Sequence, residues 1–268
     1  RRISLCSRLN QGVGIMKILI PMAGAGQRFK DAGYEQSKPV IPVNGLPMVV
    51  QATKALPKSE DPIFVCRNFH LEEGVDKIIK AYYTQATFVP VDRLTEGQAS
   101  TCLLAKDSIN TDESLMIGAC DNAMIWNKKA FEDVCRESDC VVWTFRNCIS
   151  VVEKPEQYGW MKVDDSGCVT GTSIKVPISN TPKQDHAVVG SFWFKKGSDF
   201  VDAAEEMIAR NDRINGEFYV DKCIDYMLEA GKTVRVFEVD YYIGWGTPDD
   251  LKTWEYWRSF FKENSWLK

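Results

Sequence analysis

The chain has 268 residues and a formal net charge of −4, from 33 Lys and Arg against 37 Asp and Glu. That length suits one large α/β domain or two small ones, and no Pro/Gly/Ser-rich linker divides it, so a single domain is expected. Interspersed acids and bases argue against broad nucleic-acid binding, and no apolar run reaches membrane length.

The first fifteen residues stand apart from the rest. Arg1, Arg2 and Arg8 come with no acid before Asp31. Such a basic, acid-poor stretch reads either as sequence added ahead of a native start at Met16 or as the remnant of a targeting peptide. It is set aside, and residues 16–268 are read as the domain.

Residues 18–22 are short, β-rich and uncharged, which predicts a buried strand. The strand runs into a loop of Ala23, Gly24, Ala25 and Gly26, closed by Arg28. Gly24 and Gly26 permit positive φ and close backbone approach. Loop amides can then face phosphate oxygens, with Arg28 and, ten residues on, Lys38 adding charge. A dinucleotide fingerprint needs a glycine where Phe29 stands, and a Walker loop needs a Gly-Lys-Ser/Thr ending that is missing. A plain strand-to-helix turn is the alternative.

From there helix and strand patterns alternate. Helices are predicted over 48–55, 71–83, 98–106 and 128–137, and strands over 62–66, 86–91, 114–119 and 140–145. That order predicts an α/β fold with a mostly parallel, Rossmann-like sheet flanked by helices, binding ligands at the strands' carboxyl ends. The later half adds strands over 159–163, 169–174, 187–194 and 233–239, with helices over 198–211 and 217–230. This β-rich insertion is expected to complete one side of the pocket. Thr247-Pro248 gives a start signal for a last helix over 249–261. Its Trp254, Trp257 and Phe261 fall at helical spacing, a packing face for the core or for a second subunit.

Apolar residues 115–117 lead to Asp121 at a strand end. There a carboxylate can hold Mg²⁺ beside loop-bound phosphates, since magnesium needs only one or two; a turn with Asn122 is the alternative. Gly97 permits a bent loop. Gln98 opens a helix with an amide that donates and accepts, suited to a base edge; capping by Thr95 or Glu96 is the alternative. The nine Cys are odd in number and form no CxxC, so buried free thiols in a reducing cytosol are expected. With only His70 and His186, zinc is not expected.

The run GxGxR, followed ten residues on by Lys38-Pro39, and the phrase GLPMV at 45–49 resemble the nucleotidyltransferase family that makes nucleotide sugars. The resemblance extends over nearly all of 16–251. It implies that Arg28 and Lys38 bind the leaving phosphates, that Asp121 holds Mg²⁺, and that Gly97 and Gln98 frame the base. In YGWMKVDDSGCV it sets Gly159 against the sugar, and in SIKVPIS it makes Lys175 the lysine that meets the sugar phosphate. The family's acid that grips a sugar hydroxyl is replaced by Ile174. Glu153-Lys154-Pro155 spells the family's letters but precedes the hairpin and reads as a surface turn. Gly190, in AVVGSFWF, would allow close substrate approach, and Glu217, in NGEFYVDK, would bind sugar hydroxyls. IGWGTPDDL resembles the family's metal motif, but Gly244 stands at the second ligand position; Asp240 is the nearest substitute.

The implied reaction joins an NTP and a sugar 1-phosphate, giving an NDP-sugar and pyrophosphate, in the cytoplasm, with a homo-oligomer possible. A cytidylyltransferase acting on a non-sugar phosphate is one alternative. A non-catalytic subunit that binds a nucleotide sugar is another.

Overall fold

The computed structural model describes residues 16–264; the segment 1–15 lies outside the described residues. In chain order the strands are β1 (Met16–Pro21), β2 (Pro42–Val43), β3 (Leu46–Pro47), β4 (Ile63–Arg67), β5 (Thr87–Val91), β6 (Ser114–Ile117) and β7 (Asn122–Ile125). They continue with β8 (Cys140–Phe145), β9 (Gly159–Val163), β10 (Val169–Ile174), β11 (His186–Phe194), β12 (Val234–Glu238) and β13 (Tyr241–Gly244).

One sheet runs β10-β9-β11-β6-β1-β4-β5, with β8 also paired to β11 and β12 to β8. β1 is parallel to β4 and β6, β4 to β5, and β8 to β12. β11 is antiparallel to β6, β8 and β9, and β10 to β9. Followed through these pairings, only β10 and β11 oppose the other strands of the sheet, so it is mostly parallel, as the alternation predicts. Hairpin β2–β3 and pair β7–β13 lie outside it.

The sheet is buried on both faces, which is why its strands read as unbroken apolar runs. Alternation along β1 shows this. Leu19 enters one core with Ile117, Phe194 and Phe200, while Ile18 and Ile20 enter the other with Phe64, Met116 and Trp143. Helices Gln98–Leu103, Gly197–Ala209 and Val220–Glu229 cover the first face. Helices Met48–Lys54, Val75–Lys80 and Lys128–Arg136 cover the second.

The predicted helix over 71–83 is two helices, Asn68–Glu72 and Val75–Lys80. Gly74 between them takes φ 75, which no α-helical interior contains. The predicted helix over 98–106 stops at Leu103, and a short turn of helix follows at Lys106–Ile109. Eight described cysteines are free thiols. Burial pushes several of them up, Cys66 to about 11 and Cys120 to about 12, so these sulfurs pack rather than react. Among the described residues no helix is long and apolar enough to cross a membrane.

Candidate active site

The glycine loop leaves the carboxyl end of β1. Ala23 is buried, whereas Gly24, Ala25 and Arg28 are exposed. A side chain on Gly24 would meet nothing within 4 Å, so the loop face is open. Gly26 adopts φ 63, and a Cβ there would already touch Lys38 Cβ at 3.4 Å. Phe29 anchors the loop from below, packed with Ile41, Val43, Met48, Trp245 and Leu251. The residue that breaks the dinucleotide fingerprint is thus the one that holds the loop down. Ser37 donates a hydrogen bond to Glu73, tying the next turn to the helical layer.

Lys38 reaches across to Asp121, with Nζ and Oδ2 2.5 Å apart. Burial pulls the Lys38 ammonium down, but the Asp121 carboxylate outweighs it and leaves the pKa above its ordinary value. Arg28 pushes the same group down, which places its charge nearby. Asp121 is held from the far end of the chain. Its carbonyl accepts from the Trp245 amide at 2.7 Å, and a Cβ on Gly246 would sit 3.2 Å from its Oδ2.

Pair β7–β13 builds this contact by setting Gly244 opposite Asn122. A Cβ on Gly244 would lie 2.9 Å from the Tyr242 hydroxyl. That ring is stacked on Phe145 with centroids 4.1 Å apart and cannot yield freely. An acid at 244 therefore does not fit. Asp240 precedes Tyr241, which pairs with Ile125 at the other end of the two strands, about 13 Å from Gly244 by strand rise. The structure does not bring Asp240 to Asp121. Among the described residues no three His, Cys, Asp or Glu side chains gather to hold a metal. The half-buried Asp121 carboxylate is the kind of oxygen donor magnesium takes, with its remaining ligands from phosphates and water.

On the opposite side, hairpin β9–β10 pairs Ile174 with Gly159. Lys175 follows in the left-handed region at φ 63, rare for a residue with a side chain. Its amide donates to the Tyr158 carbonyl at 3.0 Å. Its ammonium donates to the Gln157 carbonyl and lies 5.5 Å from the Tyr219 ring centroid. Burial lowers the Lys175 pKa. Asp221 and Glu217 pull against that, Arg28 adds to it, and the net shift is downward.

Asp221 is the functional candidate that sequence reasoning missed. It is 9% exposed, in the first turn of Val220–Glu229. A Cβ on Gly159 would lie 1.8 Å from Asp221 Oδ2, so the space beside this glycine is taken by a carboxylate. Burial pushes the Asp221 carboxyl up to about 6 against the pull of Lys175. Its position next to Gly159, whose strand partner is Ile174, supplies an acid where strand β10 lacks one. The signal in NGEFYVDK is weak, because an acid at a helix start needs no function to explain it.

Backbone bonds join the base loop to this side. Phe218 donates to Glu96 at 2.8 Å, and Ala99 donates to Phe218 at 2.9 Å. Gly97, at φ 123, is required there because a Cβ would strike the Phe218 carbonyl at 2.5 Å. Gln98 follows, half-buried, at the start of its helix. Glu217 is exposed beside this junction. Gly190, at φ 90, sits in the irregular middle of β11, where the Asn122 amide donates to the Val189 carbonyl at 2.7 Å. It therefore adjoins the Asp121 segment. Glu153 and Lys154 are exposed, on the turn whose Gln157 carbonyl accepts from Lys175.

Comparison with known proteins identifies the family and similar folds. The family model described as nucleotidyl transferase matches residues 17–258. The chain is 25% identical over 244 residues to the low-salt glycan biosynthesis nucleotidyltransferase Agl11 of Haloferax volcanii, covering 88% of this chain and 64% of that protein. It thus spans less than two thirds of that relative's length. Its fold resembles a nucleoside-diphosphate-sugar pyrophosphorylase from Vibrio cholerae, with a TM-score of 0.72 at 23% identity over 88% of this chain and 98% of that one. It also resembles the inositol-1-phosphate CTP transferase of T. maritima, with a TM-score of 0.68 at 14% identity over 89% and 93% of the two chains. With the match covering most of its length, the chain belongs to the nucleotidyl transferase family.

Proposed function

We propose that this chain transfers a nucleotidyl group from an NTP to a sugar 1-phosphate in a reducing, cytoplasmic setting. The observation that carries the reading is a pair of cation–carboxylate sites around Arg28: Lys38 with Asp121, and Lys175 with Asp221. A triphosphate and a monophosphate need cations on two sides of the reacting phosphorus, and this cleft supplies them.

A phosphate oxygen of the acceptor attacks the α-phosphorus, and the bond to the bridging oxygen of the β-phosphate breaks. Pyrophosphate leaves with its electron pair. The attacking oxygen is already ionised, so no general base is required, and positioning with charge stabilisation accounts for catalysis. The loop amides of 23–26, Arg28 and Lys38 hold the leaving phosphates. Gly97 and Gln98 frame the base. Lys175 seats the acceptor phosphate, with Asp221 and Glu217 as acceptors for sugar hydroxyls and Gly190 leaving room for close approach. Mg²⁺, held by Asp121 and the phosphates, supplies charge neutralisation when bound.

The missing acid at Ile174 favours a non-sugar acceptor only while no other acid is nearby, and Asp221 removes that ground. The test is pyrophosphate release from a panel of NTPs and Mg²⁺ crossed with sugar 1-phosphates, myo-inositol 1-phosphate and phosphocholine. Release with a sugar 1-phosphate is expected. Turnover confined to the other two acceptors overturns the sugar assignment, and silence throughout with tight binding of a nucleotide sugar indicates a sensor.

A further inference from the structure

Tyr242 and Gly244 are two residues apart in β13, so they share one face of the strand. Across the pair they meet Met124 and Asn122. Asn122 borders Gly190, where a Cβ would lie 3.9 Å from its Nδ2. The next residue along the chain, Trp245, holds the Asp121 carbonyl. Tyr242 and Gly244 thus sit beside the Asp121 segment, on the side of the pair that meets Gly190.

The obstacle to a side chain at 244 is a single atom. Gly244 is not left-handed, so its backbone suits any residue. A Cβ there would lie 3.5 and 3.7 Å from Cζ and Cε1 of Tyr242, which is ordinary contact, but 2.9 Å from the hydroxyl oxygen. The hydroxyl stands where an acid at 244 would begin, and the stack on Phe145 keeps it there. Among the described residues this hydroxyl makes no hydrogen bond. Burial, then Tyr158, Asp121, Asp250 and Cys148, raises its pKa well above the ordinary value, which also places it within the field of Asp121. A half-buried hydroxyl with neither its proton nor its lone pairs engaged is available to a ligand.

We propose that the Tyr242 hydroxyl takes the place of the second carboxylate, as the polar contact that joins Asp121 in holding the magnesium–triphosphate unit. The role rests on the NTP reading of the cleft given above. Magnesium dehydrates reluctantly and keeps several waters, so a neutral group that hydrogen-bonds to the hydrated metal and its phosphates can serve where a direct ligand is missing. The exchange removes one negative charge from the site. Asp121 is already paired with Lys38, so the protein alone offers a divalent cation little net charge, and the triphosphate must supply it.

Mn²⁺ titrations of the full chain followed by electron paramagnetic resonance test this, with and without the α,β-methylene analogues of ATP, CTP, GTP, UTP and dTTP. Wild type should bind Mn²⁺ with at least one analogue and not without it. Tyr242→Phe keeps the ring on Phe145, so its melting temperature should be unchanged while binding of Mn²⁺ with that analogue weakens about tenfold or more. Gly244→Asp should lower the melting temperature, because its Cβ meets the hydroxyl. Combining the two changes removes the obstructing oxygen and adds a carboxylate. The double variant should be more stable than Gly244→Asp, and it should bind Mn²⁺ without nucleotide at least about tenfold more tightly than wild type. Tyr242→Phe that binds Mn²⁺ and analogue as tightly as wild type overturns the role of Tyr242 alone. A double variant no more stable than Gly244→Asp overturns the placing of the hydroxyl at the ligand position. Wild type that binds Mn²⁺ with none of the analogues overturns the NTP site, and the role of Tyr242 with it.

Discussion

The carboxylate of Asp221 fills the space that a side chain on Gly159 would occupy. Two segments some sixty residues apart in sequence are thus fitted to each other inside the acceptor side of the cleft. The fit puts a nearly buried acid near Lys175 at a cost in desolvation, and it makes both positions sensitive to small changes.

Gly159→Ala should show the closeness directly. Its methyl group overlaps Asp221 Oδ2, which must move, and overpacking of this kind costs about 1–3 kcal/mol. Asp221→Ala removes the obstruction, so the double variant should be more stable than the sum of the single changes implies. Urea unfolding of the four proteins measures this coupling; strict additivity contradicts the contact.

Asp221 should make the protein less stable as pH rises through about 4 to 6. Its folded pKa lies above the ordinary 3.8, at about 6. In that window the native state keeps a proton that the unfolded chain has released, so raising pH costs stability, up to about 3 kcal/mol. Asp221→Asn avoids the cost. Its stability should match wild type near pH 4 and exceed it at about pH 8, while its acceptor KM rises about tenfold or more from loss of a charged acceptor. Equal stability of the two proteins at about pH 8 counts against a desolvated carboxylate.

Lys38→Ala and Asp121→Asn should each lower the rate of pyrophosphate release by about 10²–10³ at saturating Mg²⁺ and NTP. Because the two side chains are bonded, the double variant should lose much less than the product of the single losses. A drop below about tenfold in either single variant removes that residue from the reaction.

Lys175 separates backbone from charge. Its left-handed conformation costs about 1–2 kcal/mol for any residue with a Cβ. Lys175→Gly should therefore be more stable than Lys175→Ala by about 1 kcal/mol. Both should lose acceptor binding to the same extent. Thermal unfolding with acceptor titrations checks the two effects independently.

The sheet was legible because its strands are short apolar runs between turn residues. The bounds predicted for 140–145, 159–163 and 169–174 coincide with β8, β9 and β10. Pair β7–β13 was not legible, because Asn122–Ile125 has neither strict alternation nor length, and its partner lies over a hundred residues away. Gly74 was hidden inside an otherwise helical pattern. In the site, Lys38 and Asp121 could be singled out because a loop and a strand end give local signals. Asp221 could not, because its value comes from Gly159 and Lys175, which only the folded chain brings to it.

The contact between the Trp245 amide and the Asp121 carbonyl has a consequence for biosynthesis. Strand β13 is the last strand of the described chain, yet the residue that follows it braces the backbone of Asp121, made more than a hundred residues earlier. A nascent chain can assemble β1, β4, β5 and β6 as soon as they emerge. At about 5–20 residues per second, the ribosome needs several seconds more to deliver residues 241–251. Until then Asp121 lacks its brace and Phe29 lacks Trp245 and Leu251 beneath the glycine loop. The nucleotide side of the cleft is therefore completed last, and the protein gains it in one late step of synthesis.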